Sequence, residues 1–151
     1  MLVMNKKKCI LCDEGKIKEF VNLGRSALAN NLISYKDYKK KEKKYPLVLG
    51  KCLKCGHVQL KKLVNPKYMF DNYLYLSAAS STLQKHLSSI PTTINKIKKI
   101  KKNDLVIDIG SNDATLLKGY KKFRVKALGV EPAKNLSKYY KKTKITHLMD
   151  Y

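Results

Sequence analysis

Nothing in the 151 residues approaches the ~18 consecutive apolar positions a membrane-spanning helix needs. No membrane-spanning helix is therefore expected in these residues. Arginine is almost missing as well: of 33 basic residues only Arg25 and Arg124 are arginine, and the 11 acidic residues leave a net charge of +22. A charge of that size ordinarily points to nucleic acid or an anionic membrane. Readers of bases and phosphates, however, lean on the planar fork of arginine and on aromatics set among the charges. An excess made almost wholly of lysine reads instead as solvated surface, with nucleic acid and membrane both disfavoured as partners. At the start, Met1-Leu2-Val3-Met4 precedes Lys6-Lys7-Lys8, the reverse of the order in a signal peptide. The expected location is the cytoplasm.

Cysteine is scarce too, and all four copies fall in two pairs, Cys9-Ile10-Leu11-Cys12 and Cys52-Leu53-Lys54-Cys55. A gap of two residues lets both thiolates of one turn face the same ion, and two such turns complete a tetrahedral site. Disulfides are disfavoured in a cytoplasmic chain, and a redox motif needs only one pair. The four cysteines are therefore expected to hold a structural Zn2+ with no open position for chemistry. Gly56 suits the left-handed turn after the second pair and Gly15 is the candidate for the first, while His57 is expected to pack or lie on the surface. Short strands at Phe20 to Gly24, Tyr45 to Lys51 and Val58 to Leu60 make the surroundings a zinc ribbon-like module. A unit this small needs its metal for stability. Lys36 to Lys44 reads as an exposed loop or hairpin tip.

Asn65-Pro66 should cap and start a helix. A Tyr- and Ser-rich connector follows from Tyr73 to Ser80. Leu83, Leu87, Ile90, Ile94, Ile97 and Ile100 then recur at three and four, one face of an amphipathic helix bent at Pro91.

The most informative stretch is Leu105-Val106-Ile107-Asp108-Ile109-Gly110-Ser111-Asn112-Asp113-Ala114. The apolar run predicts a strand buried on both faces, Gly110 a tight turn, and Asp113 a helix N-cap. A second strand, Ala127 to Val130, ends on Glu131, placed to accept hydrogen bonds from ribose hydroxyls. A third strand is expected at Lys144 to Leu148, after a helix at Asn135 to Lys142. Strand, glycine turn and helix present a backbone and a helix start to a nucleotide. With one glycine instead of Gly-x-Gly-x-x-Gly, a ligand with adenosine and no phosphate fits better than a dinucleotide, and S-adenosylmethionine is the common one.

Taken together, Cys9-x-x-Cys12, Leu23-Gly24, Leu28-Ala29-Asn30, Tyr45-Pro46-Leu47, Cys52-x-x-Cys55-Gly56-His57-Val58-Gln59-Leu60, Tyr73-x-Tyr75-x-Ser77-x-x-Ser80, His86, Ile109 to Asp113 and Gly129-x-Glu131-Pro132-Ala133-x-Asn135 resemble the N-terminal part of the S-adenosylmethionine-dependent C-methyltransferases of nucleotide-sugar biosynthesis. The resemblance implies methyl transfer to a sugar carbon of a deoxyketo-sugar nucleotide, through an enolate formed next to a ketone. It implies that Asp108, Gly110, Ser111, Asn112, Asp113 and Pro132 bind the cofactor, that Glu131 holds its ribose, and that the Tyr73 to Ser80 connector, with Tyr75 and Ser80, and His86 close over it. Ala114 stands where the family usually has glycine, and Ser26-Ala27 replaces a polar-Pro pair.

The expected fold class is α/β. It comprises a zinc-binding module over 1–64, a helical connector over 65–103 and an incomplete Rossmann-like S-adenosylmethionine-binding domain over 104–151. Only three of the seven strands of a class I methyltransferase sheet can be counted, and the segments that supply the base are absent. The expectation is an N-terminal fragment with no catalytic residue of its own, inactive alone and served by a complementing C-terminal polypeptide. A zinc-ribbon nucleic-acid-binding module and a non-catalytic remnant are the alternatives.

Overall fold

A computed structural model describes residues 3–5, 8–29 and 31–151. Met1, Leu2, Lys6, Lys7 and Asn30 lie outside the described residues, and with them most of the leader comparison and the Asn30 position of the family motif. The chain divides into two compact units, 1–69 and 70–151. The architecture is mixed α/β, with small sheets.

In the first unit, β2 (Ile17–Ser26), β3 (Tyr45–Cys52) and β4 (Val58–Leu60) form an antiparallel sheet in the order β2-β3-β4. Strand β1 (Val3–Asn5) pairs antiparallel with β5 (Lys62–Val64), an addition that the sequence did not announce. Strand β2 is twice as long as the expected Phe20 to Gly24 segment. Asn22 and Gly24 mark an irregularity inside a strand that continues past the expected end at Gly24. Gly24 has φ +78° and its N–H donates to Asn22 Oδ1 at 2.9 Å, while the register against β3 shifts between Asn22 and Arg25. Asn65 caps the short helix α1 (Lys67–Phe70) as expected, its Oδ1 accepting from Lys67 N at 3.1 Å.

In the second unit, α2 (Ser81–Ile97) runs through Pro91, which is buried, and ends before Ile100. Strands β6 (Leu105–Ile109), β7 (Lys126–Val130) and β8 (Thr146–Leu148) form a parallel sheet in that order. Helix α3 (Thr115–Gly119) follows β6 and α4 (Ser137–Tyr140) follows β7. Ala114, Leu117, Tyr140 and Ile145 make the core, with Val106 and Ala127 against it. The pattern of β6 fits burial on both faces, but only alternate residues are covered among the described residues. Leu105, Ile107 and Ile109 on the other face are 62%, 52% and 80% exposed.

Helix α3 also begins one residue later than expected. Ala114, at φ 63°, occupies the N-cap position in the left-handed region, which costs an alanine about 1–2 kcal/mol. Asp113 still does the capping chemistry from one residue further out, because its Oδ1 accepts from Thr115 N at 3.1 Å and from Thr115 Oγ1 at 2.5 Å.

Candidate functional site

The first unit carries a candidate metal centre. The first cysteine pair sits in a tight turn closed by Cys9 N to Gly15 O at 3.0 Å, the second in the hairpin between β3 and β4, closed by Cys52 N to His57 O at 2.8 Å. All four Sγ atoms lie within 4.8 Å of one another. Cys9 and Cys55 approach to 3.7 Å, and so do Cys12 and Cys52. Disulfide sulfurs sit at about 2.05 Å, so these are four separate thiols. Four thiolates at about 2.3 Å from one Zn2+ in a tetrahedron stand about 3.8 Å apart. The donor set and its spacing therefore fit zinc. Backbone amides support the sulfurs: Leu11 N donates to Cys9 Sγ and Lys54 N to Cys52 Sγ, both at 3.4 Å.

The Gly15 amide lowers the Cys12 pKa, and the Cys55 amide lowers that of Cys52. The Cys55 thiol is pulled down by the His57 amide but raised by burial and by the other three sulfurs, and ends at about 11. His57 is half-buried and outside the cluster, as expected.

One expectation is corrected here. Gly56 does take the left-handed turn after the second pair, at φ +77°, but after the first pair that conformation belongs to Asp13, at φ 54°. Gly15 is required for space instead: a Cβ there would lie 2.1 Å from Cys52 Sγ.

The second unit carries a cleft of ≈ 370 Å³ beside the C-terminal ends of β6 and β7. Phe70 and Tyr73, with ring centroids 5.9 Å apart, line it together with Ile109, Gly110, Asn112, Glu131 and Pro132. Asp150 and Tyr151, which sequence reasoning missed, also line it. At Gly110, φ is +77° and nothing stands within 4 Å of where a Cβ would be, so the turn is open on that side. Glu131 is buried, and both its oxygens are engaged. Oε2 accepts from Asn112 N at 2.8 Å and Oε1 from Ala133 N at 2.9 Å. A carboxylate has about four acceptor sites, so capacity for two more donors remains.

The remaining predicted cofactor residues are differently employed. Asn112 uses its side chain on the connector, Oδ1 accepting from Ser77 N at 2.9 Å and Nδ2 donating to Tyr75 O at 3.0 Å. Asp113 Oδ2 accepts from Ala78 N at 2.9 Å. Asn135 clasps the connector upstream, taking Tyr73 N at 2.9 Å and giving to Tyr73 O at 2.8 Å. Ser80 caps α2 through Leu83 N at 3.3 Å and does not line the cleft. The Tyr75 side chain is exposed, and so is His86 on α2. Ser111 is buried under the turn, where its Oγ receives the Tyr140 hydroxyl at 2.6 Å. Gly129 makes that approach possible, since a Cβ there would stand 2.8 Å from the Tyr140 hydroxyl oxygen. Burial, with the nearby acids adding to it, holds the Tyr140 phenol up at about 12 despite its bond to Ser111. Asp108 is half-buried in β6; its pKa is raised by desolvation and then by the charge of Glu131.

Among the described residues, no helix is long and apolar enough to cross a membrane. A family described as "Putative zinc binding domain" matches residues 9–70, a span that takes in all four cysteines. Over 130 residues the chain is 25% identical to the C-methyltransferase NovU of Streptomyces niveus. The match covers 86% of this chain and 31% of NovU, so the chain spans about a third of the length of the curated relative it matches.

Proposed function

We propose that this chain, a relative of the C-methyltransferases whose N-terminal part carries a zinc-binding domain, binds S-adenosylmethionine in the strand-end cleft of its second unit. The observation that carries this reading is the position of the cleft. Ligands of open parallel sheets bind outside the carboxyl ends of the strands, with an acid after the second strand available to a ribose. The cleft lies at those ends, has a volume within the ~300–1,000 Å³ usual for small-molecule sites, and has Glu131 in its lining. On this reading β6, β7 and β8 are the first strands of a Rossmann-like class I methyltransferase sheet.

Each residue then has a task. Gly110 leaves room at the turn, Glu131 accepts the ribose hydroxyls with its remaining lone pairs, and Phe70, Tyr73 and Pro132 supply apolar wall. The side chains of Asn112 and Asp113 hold the connector, so their share in ligand contact falls to the backbone. Asp108 is a strained acid beside Glu131, the kind of perturbed group that collects at functional sites. Bound S-adenosylmethionine supplies an electrophilic methyl group. The acceptor is a carbon next to the ketone of a deoxyketo-sugar nucleotide. The zinc module is structural.

Ultraviolet cross-linking of methyl-labelled S-adenosylmethionine to the purified chain tests the site. Label is expected in the peptides around 70–73 and 109–132. Label confined to the first unit would refute the site.

A further inference from the structure

Two cysteine turns, one before β2 and one between β3 and β4, must meet to form one metal site. The β2–β3 ladder, with Ile17 opposite Cys52, and the bond from Leu53 N to Lys16 O at 3.0 Å tie the two turns through the backbone. The exposed Lys54–Glu14 ion pair joins them at the surface, where solvent weakens it. Gln59 joins them inside.

Gln59 lies in β4, opposite Gly50 in β3, two residues beyond the turn that carries the second cysteine pair. It is 5% exposed and is the buried polar side chain of the first unit among the described residues. Its Oε1 accepts from the backbone N–H of Ile10, inside the first cysteine pair, at 2.8 Å. Its Nε2 donates to Lys8 O, just before that pair, at 3.5 Å. Three other amides of that turn are committed within it: Leu11 N to Cys9 Sγ, Asp13 N to Cys9 O and Cys9 N to Gly15 O. Gln59 takes the Ile10 amide from outside the turn. It does so from the strand that leaves the other cysteine pair, with its own side chain buried.

We propose that Gln59 is a positioning residue for metal loading: it sets the first cysteine turn against the second before the ion binds, so that the ribbon meets zinc with its four sulfurs already converged. No zinc ligand need change for its loss to be felt. Outer-shell partners of metal ligands typically govern affinity by about 10–100-fold, and the reach of this side chain, more than its polarity, is what matters.

The test is chelator competition for zinc on the full chain, comparing the unaltered protein with Gln59→Asn and Gln59→Glu. Asparagine is one methylene too short to reach Ile10, and affinity is expected to fall about 10–100-fold. Glutamate keeps an acceptor at full reach and is expected to restore most of the affinity. Cobalt-loaded Gln59→Asn should keep the four-thiolate charge-transfer spectrum, and in metal-free protein the Ile10 amide should lose its exchange protection with Gln59→Asn alone. Unchanged affinity in Gln59→Asn would overturn the proposal. So would Gln59→Glu no tighter than Gln59→Asn, a cobalt spectrum showing a lost thiolate, or an Ile10 amide equally unprotected in the unaltered metal-free chain.

Discussion

Asp108 stands alone in the middle of β6 with an acid for a neighbour, and its pKa is raised by desolvation and by Glu131. A carboxyl whose folded-state pKa exceeds its unfolded value stabilises the fold fully below the unfolded value, near 3.9. That contribution is lost as pH rises through the folded value. At neutral pH the ionised side chain is therefore a burden. Asp108→Asn is expected to raise the urea midpoint at neutral pH, and to have no effect once both proteins are titrated below the ordinary carboxylate range. An equal gain at both pH values would mean that packing, not charge, is responsible. Gly15 makes the opposite point about a residue with no side chain. Gly15→Ala drives a methyl against Cys52 Sγ, and zinc affinity measured against a chromophoric chelator is expected to fall at least tenfold, as with other losses around a metal site. The metal ligands were legible from spacing alone because two Cys-x-x-Cys pairs leave few geometries. Gly15 was legible only as a glycine near a turn. Sequence shows where a glycine is, not whether its freedom or its smallness is used, and here Asp13 carries the left-handed conformation.

At the scale of elements, the connector from Tyr73 to Ala78 is irregular yet pinned. Asn135, Asn112 and Asp113 hold its backbone at Tyr73, Tyr75, Ser77 and Ala78. Each asparagine offers a donor and an acceptor, and so substitutes for a strand partner. Asn135→Ala removes two hydrogen bonds worth about 1 kcal/mol each. The Tyr73 amide is expected to exchange about tenfold or more faster by mass spectrometry, with protection in β6 and β7 unchanged. Unaltered exchange would show that the clasp does not hold the connector. Strands β6 and β7 were legible because an apolar run, a glycine and an acid follow one another at fixed places. Helix α4 came out shorter than expected, and β2 longer, because a chain can continue a strand through Asn22 and Gly24 with a shift of register. Periodicity does not encode that choice. Nor does it encode which face of β6 finds a cover.

At the scale of the whole molecule, the resemblance joined segments that no single motif would have linked, and it pointed to the C-methyltransferases. Its positions mix two kinds of residue: those that face the cleft, such as Gly110 and Glu131, and those that build it, such as Ser80, Ser111 and Asn135. Both kinds look alike in a sequence: Ser80 caps a helix and the Ser111 hydroxyl is buried against Tyr140. Among the described residues the ion pairs are few and exposed.

The central claim is that the strand-end cleft holds S-adenosylmethionine. Calorimetric titration of the zinc-loaded chain with that ligand, repeated on Glu131→Gln, tests it most directly. The account predicts saturable binding at one site, weakened about tenfold or more in a folded Glu131→Gln protein by the loss of one charge-assisted hydrogen-bond acceptor. No heat of binding to a folded, zinc-loaded chain, or equal binding by both proteins, would contradict it.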